Sequence, residues 1–198
     1  QSWGIPAEKQ QFGEWRGWER GISHIDMVSP RIKTLNGTQL AWSPSTKGKS
    51  VVAEVIPLGD FKDSLDFKAW LPSVKGKYVM ISMPQPTGRP DHNWEKYGKA
   101  SSIEKMNKDR DAKSAAWNSR IRATGMSANS IPSVLEDAGA VGILTSNWSK
   151  EFGANKIFGA RSHKVPTLDI SLEDYGVLYR LAENGIKPKI AVETASKD

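Results

Sequence analysis

The chain has 198 residues, of which 38% are hydrophobic and 25% charged, proportions typical of one folded domain with a sizeable core. Lysine and arginine number 28 against 22 aspartate and glutamate residues, so the formal net charge is +6. No stretch approaches the ~18 consecutive apolar residues of a membrane span, and the absence of cysteine excludes disulfides, thiol catalysis and thiolate metal sites.

Residues 1–20 are rich in tryptophan. They contain three of the eight tryptophans, Trp3, Trp15 and Trp18, and show neither strand alternation nor a helical period. We predict an irregular arm that precedes a main domain over 21–198. Tryptophan side chains are unfavourable when left in water, so we expect the arm to pack on this domain or on a neighbouring part of a larger protein.

Short apolar runs separated by turn residues predict strands in the first part of the main domain. An apolar run covers 22–28, and the Asn36-Gly37 pair after it favours a tight hairpin turn. Segment 51–56 is rich in β-branched residues. Segment 78–83 is almost continuously apolar, which predicts a strand buried on both faces.

The segment at about 87–130 is an extended, basic, helical part of the domain. Prolines predict that 83–98 is an irregular loop. Helical signal begins at a capping box formed by Ser101 and Glu104. Residues 89–122 carry nine basic against five acidic side chains. No base-reading motif accompanies this charge, so a solvated helix face is favoured over a nucleic-acid surface.

A helix, a glycine stop and a strand then follow one another with almost no loop. Residues 131–138 place apolar side chains on one helical face, Gly139 ends the helix, and 141–144 form a buried strand. With the strand near 78–82, this predicts a β-α-β unit. The remaining pattern predicts a strand at 165–170, a helix capped by Ser171 that ends at Asn184-Gly185, and a closing strand around Ile190 and Val192. The predicted fold class is α/β (α+β), with a mixed sheet, β-hairpins and flanking helices.

Histidine is scarce, which limits catalytic and metal chemistry. The histidines are His24, His92 and His163. His24 and Asp26 have the spacing that puts two side chains on one face of a strand, but no third metal ligand is suitably placed. No G-x-S-x-G nucleophile motif occurs. We therefore assign no catalytic residue and no metal ligand to this chain.

Four ordered blocks, together with two shorter ones, resemble the protease-associated (PA) domain of M28-family zinc aminopeptidases and carboxypeptidases. The resemblance spans about 14–193. The four blocks are GKYVMI at 76–81, AGAVGI at 138–143, VPTL at 165–168 and SLEDYG at 171–176, and the two shorter ones lie at 15–21 and 40–44. The 87–130 segment is longer and more basic than a minimal PA domain requires.

The resemblance implies a swivelling β/β/α fold that acts as a non-catalytic lid or docking module beside a peptidase domain. Zinc would then be bound in the catalytic domain of the parent protein, and this chain would need no cofactor. The implied partners are that peptidase domain and a peptide or protein substrate, with no nucleic acid and no membrane span. The implied location is secreted or periplasmic.

Aromatic rings beside hydrogen-bonding groups, on loops held by a rigid sheet, are the best candidates for substrate access or partner contact. The candidates are His92, Trp94, Tyr97, Trp117, Asn147 and Trp148. The alternative for each tryptophan is simple packing, since large aromatic side chains are mostly buried. For the whole chain, the alternatives are an autonomous hydrolase and a peptide- or carbohydrate-binding module.

Overall fold

The computed structural model describes residues 3–4, 6, 8–15, 17–148, 151–154 and 156–197. The strands are β1 (Glu19–Ser29), β2 (Lys33–Thr34), β3 (Gly37–Gln39), β4 (Val51–Pro57), β5 (Tyr78–Met80), β6 (Gly142–Thr145), β7 (Thr167–Ile170) and β8 (Lys189–Lys197). The α-helices are α1 (Ser64–Trp70), α2 (Asp91–Tyr97), α3 (Ala100–Ala123), α4 (Ile131–Asp137) and α5 (Leu172–Glu183), and a 3-10 turn covers Leu71–Val74. Within the described residues the strands form one sheet in the order β2-β1-β8-β4-β5-β6-β7-β3. This mixed arrangement confirms the predicted α+β class.

The middle of the sheet is parallel. Strands β4, β5, β6 and β7 lie side by side in chain order, with Tyr78 opposite Gly142. The predicted β-α-β unit is therefore confirmed. A Cβ at Gly142 would lie 2.6 Å from the Tyr78 ring, so only glycine permits this close approach.

The sheet curls so that its two outer strands come close together. Strand β1 pairs with β8 on one side and with the short β2 on the other, while β3 pairs with β7 at the far end. The segment joining β2 to β3 then lies along β1. Leu35 N donates to Ile25 O, Gln39 N donates to Ser23 Oγ, and Arg20 Nε donates to Gln39 O.

Two apolar clusters pack on the sheet. One contains Met80, Ile190 and the α5 residues Tyr175 and Leu178. The other contains Val79, Ile143, the α1 residue Phe67 and the α4 residues Ile131 and Leu135. Burial of this apolar surface is the main stabilising contribution to the fold. The two clusters place α5 against one and both α1 and α4 against the other.

Two local signals of helix ends are confirmed. Ser171 Oγ accepts a hydrogen bond from Asp174 N at the start of α5. After α4, Gly139 has φ +94°, a conformation that side-chain-bearing residues rarely adopt. The chain can therefore reverse from α4 into β6 within a few residues.

The prediction of a hairpin at Asn36-Gly37 is wrong. Strands β2 and β3, on either side of this pair, bind different neighbours. Asn36 N donates to Asp174 Oδ2 of α5. A Cβ at Gly37 would lie 2.7 Å from Ile170 Cδ1 and 2.9 Å from Ile25 Cδ1. The glycine therefore serves close packing across the curled sheet.

Two predictions around the basic segment are also wrong. The region expected to be an irregular loop contains α2, which Pro90 precedes, and proline is compatible with a helix start. The expected capping box at Ser101 does not begin α3. That helix begins at Ala100 after Lys99, without a capping side chain.

The arm remains largely exposed where it is described. Strand β1 already includes Glu19. Phe12 and Trp15 are exposed and meet edge to face, whereas Trp18 lies against Trp42. Packing of the arm on a neighbour stays a prediction. No helix in the described ranges is both long and apolar enough to cross a membrane.

Candidate functional site

Helix α3 bridges the two apolar clusters. Trp117 packs against both of them, and it lines a cleft on each side of the helix. The candidate residue Trp117 is therefore both a packing residue and the shared wall of two clefts.

The first cleft, named here the α3–α5 cleft, has a volume of about 320 Å³, a size suited to a small ligand. Helix α3 contributes Lys113, Ala116, Trp117 and Arg120, which are spaced i, i+3, i+4 and i+7. Helix α5 contributes Gly176, Tyr179, Arg180 and Glu183 with the same spacing, and residues 83–86 complete the lining. Since this spacing defines one helical face, the cleft is formed by two helical faces turned toward each other.

Arg120 is held in place in this cleft. Its Nη1 donates to Leu58 O at 3.0 Å, and its guanidinium lies 4.9 Å from the centre of the Trp117 ring. Lys113 and Arg180, by contrast, have no side-chain hydrogen bond or ion pair with the described residues. Glu183 supplies the acidic side chain of the lining. The cleft thus combines a fixed aromatic wall with two cations available for a ligand.

The second cleft, the α3–α4 cleft, has a volume of about 230 Å³ and lies where β5 and β6 end. Candidate Asn147 lines it and donates through Nδ2 to Asp169 Oδ1 at 2.6 Å. Asp169 also accepts from Thr145 Oγ1 at 3.1 Å and from Lys156 N at 3.3 Å. Burial raises the pKa of Asp169 above its ordinary value, while these hydrogen bonds act to lower it. Asn147 is therefore tied to a structural carboxylate.

A second group of polar contacts lies between α2, α3 and the loop after β6. Trp148 Nε1 donates to Asp91 Oδ1 at 2.7 Å. The guanidinium of Arg110 lies 4.5 Å from the centre of the Trp148 ring, and its Nη1 is 3.5 Å from the same Asp91 oxygen. Candidate Trp148 thus joins the β6 loop to both helices through one carboxylate.

The remaining candidates lie on α2. His92 Nδ1 is 3.6 Å from Glu151 Oε2, and its ring meets Phe152 edge to face. The indole Nε1 of Trp94 is buried without an acceptor among the described residues. Tyr97 is 65% exposed. The structure therefore spreads the six candidates over several surfaces, and Trp117 and Asn147 share the lining of the α3–α4 cleft.

Sequence reasoning missed the cations and the carboxylate that define these surfaces. Lys113 and Arg180 lie on helices distant in sequence, so no local motif connects them. The i, i+3, i+4, i+7 spacing on each helix could have indicated a face, but not its partner. Asp91 precedes His92 in the sequence, and its carboxylate contacts Trp148 and Arg110 in the structure.

The described residues do not fit a metal centre. They contain no group of three or more histidine, cysteine, aspartate or glutamate side chains able to hold a metal ion. His24 is exposed on β1, and Asp26 accepts a hydrogen bond from Thr34 Oγ1 at 2.7 Å.

These observations define a mixed α/β domain with a long helix across two ligand-sized clefts. No protein-family model matches the chain, and no curated protein matches it. Among solved structures it is similar in fold to a peptidase M28 precursor from Shewanella amazonensis SB2B, with 18% identity and a TM-score of 0.53 over 91% of this chain. It is also similar to an aminopeptidase from Aneurinibacillus sp. strain AM-1, with 13% identity and a TM-score of 0.53 over 91% of this chain. The chain spans 36% and 32% of those two proteins.

Proposed function

We propose that this chain is a non-catalytic protease-associated domain of an M28-type zinc exopeptidase. The main support is the fold likeness, which covers 91% of this chain but about a third of each of two proteins named as peptidases. The cleft linings agree with such a role, because they combine cations, amides and aromatic rings. Zinc and the reacting groups would belong to a separate catalytic domain.

The proposed action is to shape access of peptides to that catalytic domain. A domain without catalytic groups can affect the rate by excluding water and by binding parts of the substrate away from the reacting bond. Helices α2 and α3 are suited to this role because they present Tyr97, Lys113 and Arg110 at or near the surface. A peptide or protein substrate and the peptidase domain are the proposed partners, and a secreted or periplasmic location is proposed with them.

The first test uses the chain alone. Purified protein is assayed with aminoacyl and dipeptide chromogenic substrates, and bound metal is measured after dialysis. We expect no turnover and no stoichiometric zinc. The variant His24→Ala is the matched control, since His24 belongs to the only H-x-D pair in the sequence. Stoichiometric zinc with turnover that His24→Ala abolishes would refute the non-catalytic role.

The second test uses the longer enzyme that the proposal requires. Removing all of 88–125 would take Trp117 out of both apolar clusters, so that deletion confounds folding with gating. Helix α2 has no buried residue. Replacing 92–97 with a Gly/Ser linker is the cleaner change, because it keeps the Asp91 carboxylate that Trp148 and Arg110 share. We expect an altered kcat/KM ratio between short and long peptides at unchanged zinc content. Identical kinetics at every peptide length would contradict a role of α2 in access.

A further inference from the structure

The α3–α5 cleft combines features that a general solvent-exposed groove does not require. Each of its two helical faces carries one small residue, Ala116 on α3 and Gly176 on α5. Glycine within a helix is destabilising by roughly 0.5–1 kcal/mol relative to alanine. A Cβ at Gly176 would lie 2.9 Å from Arg180 Nη1. The glycine therefore lets the guanidinium of Arg180 lie against the backbone of α5.

The charges in this cleft are complementary to an anion. Lys113, Arg120 and Arg180 line it together with the acidic Glu183. Arg120 is already bonded to the carbonyl of Leu58, so Lys113 and Arg180 are the cations left for a ligand. A carboxylate is a suitable acceptor for both, since hydrogen bonds between ionised partners are the stronger ones.

The apolar part of the lining favours an organic anion over a simple inorganic one. Arg120 covers one face of the Trp117 ring, and the apolar surface beside that ring comes from Met83, Pro84 and Pro86. A bare phosphate would leave this surface unused, whereas an apolar side chain attached to a carboxylate would bury it. The cleft volume of about 320 Å³ suits a small organic ligand.

We propose that the α3–α5 cleft binds the C-terminal residue of a peptide, with its α-carboxylate on Lys113 and Arg180 and its apolar side chain against Met83, Pro84 and Pro86 beside Trp117. The choice of a peptide as the carrier rests on the proposed function. The carboxylate site itself rests on the two helical faces alone. Gly176 acts as a positioning residue in this proposal, because it leaves the space beside the helix that the guanidinium of Arg180 occupies.

The experiment is an NMR titration of the ¹⁵N-labelled chain. N-acetyl-L-phenylalanine, which has a free carboxylate, is compared with N-acetyl-L-phenylalanine amide, which has none. We expect the acid to bind at least tenfold more tightly, with saturable shifts at the Trp117 indole and the Gly176 amide. Equal affinity for acid and amide would overturn the proposal, and so would displacement of the acid by inorganic phosphate at equal concentration.

Variants test the assignment of the residues. Lys113→Gln and Arg180→Gln should each weaken binding of the acid several-fold. The control Lys68→Gln removes one positive charge from an exposed position on α1, outside the cleft, and should leave binding unchanged. Gly176→Ala should weaken binding while leaving the thermal midpoint unchanged or higher, an effect that a purely structural glycine would not give. Unchanged binding by Gly176→Ala or by both charge variants would refute the geometry.

Short peptides then separate terminal from internal carboxylates. A hexapeptide ending in phenylalanine with a free C-terminus is compared with its C-terminal amide carrying an internal glutamate. Binding limited to the free terminus supports the proposal, and equal binding refutes it. These outcomes are independent of the proposed function, because a chain that hydrolyses peptides would refute the non-catalytic role while leaving the carboxylate site in place.

Discussion

Glu136 offers a sharp test of how the fold holds the segment that leads into β7. Its side chain is 7% exposed, and its carboxylate accepts backbone hydrogen bonds from His163 N at 2.8 Å and from Lys164 N at 2.7 Å. Glu136→Ala would leave both N–H groups without that acceptor. Since each hydrogen bond to a charged group contributes roughly 1.5–3 kcal/mol, we expect loss of the two bonds to lower the free energy of unfolding by about 3–6 kcal/mol. That is a large fraction of the typical total of roughly 5–15 kcal/mol.

Urea unfolding followed by far-UV circular dichroism measures this change. We expect a lower midpoint with an unchanged slope, because the surface exposed on unfolding stays the same. The matched control is Asp137→Ala, whose carboxylate pairs with the exposed side chain of Lys164. Solvent screens such a pair, so its loss should barely move the midpoint. Equal midpoints for the Glu136 and Asp137 variants would show that the buried carboxylate does not hold the segment.

Three further outcomes are expected. Gly139→Ala should lower the free energy of unfolding by about 1–2 kcal/mol, because Gly139 has a positive φ. The control Gly13→Ala, where an added Cβ would meet no neighbouring atom, should leave the free energy of unfolding unchanged, and equal effects of the two variants would contradict the prediction. In thermal melts Trp148→Phe should be less stable than Trp94→Phe by roughly 1.5–3 kcal/mol. Both variants lose the same ring volume, but only Trp148 donates to a carboxylate, whereas the indole N–H of Trp94 has no acceptor among the described residues. Burial raises the pKa of Asp169, so its ionisation above about pH 4 weakens the folded state. Asp169→Asn should therefore be less destabilising at pH 7 than at pH 4 in urea unfolding, and the opposite order would refute the assignment.

Local signals predicted the parts of the fold that depend on local physics. The strand at Tyr78, the stop at Gly139 and the cap at Ser171 each need only the residues near them, and each is confirmed. The hairpin prediction at Asn36-Gly37 was wrong because a glycine that suits a hairpin turn also suits close packing. The packing partner, Ile170, is distant in sequence. The sequence analysis predicted no helix at α1, although Asp63 caps its first turn.

The candidate site was less predictable because it depends on two helices meeting. Trp117 was identified from its aromatic character, and the structure places it at both clefts. Arg180 could not be identified from the sequence, since an exposed arginine near the end of a helix has no distinguishing sequence pattern. The pairing of the α3 and α5 faces follows from the path of the chain after β5 and β7, which no spacing within either helix contains.

The curl of the sheet has a consequence for how the protein behaves at high concentration. An exposed strand edge is a template for pairing with another molecule and hence for aggregation. Here the terminal strands β2 and β3 are two and three residues long. Leu35, which lies between them, and Gln39, which ends β3, both donate hydrogen bonds to β1. Over the described residues, the sheet's two ends are therefore brief and are covered by the same stretch of chain. The fold should resist intermolecular strand addition, and slow β-rich oligomers should form only after that stretch detaches.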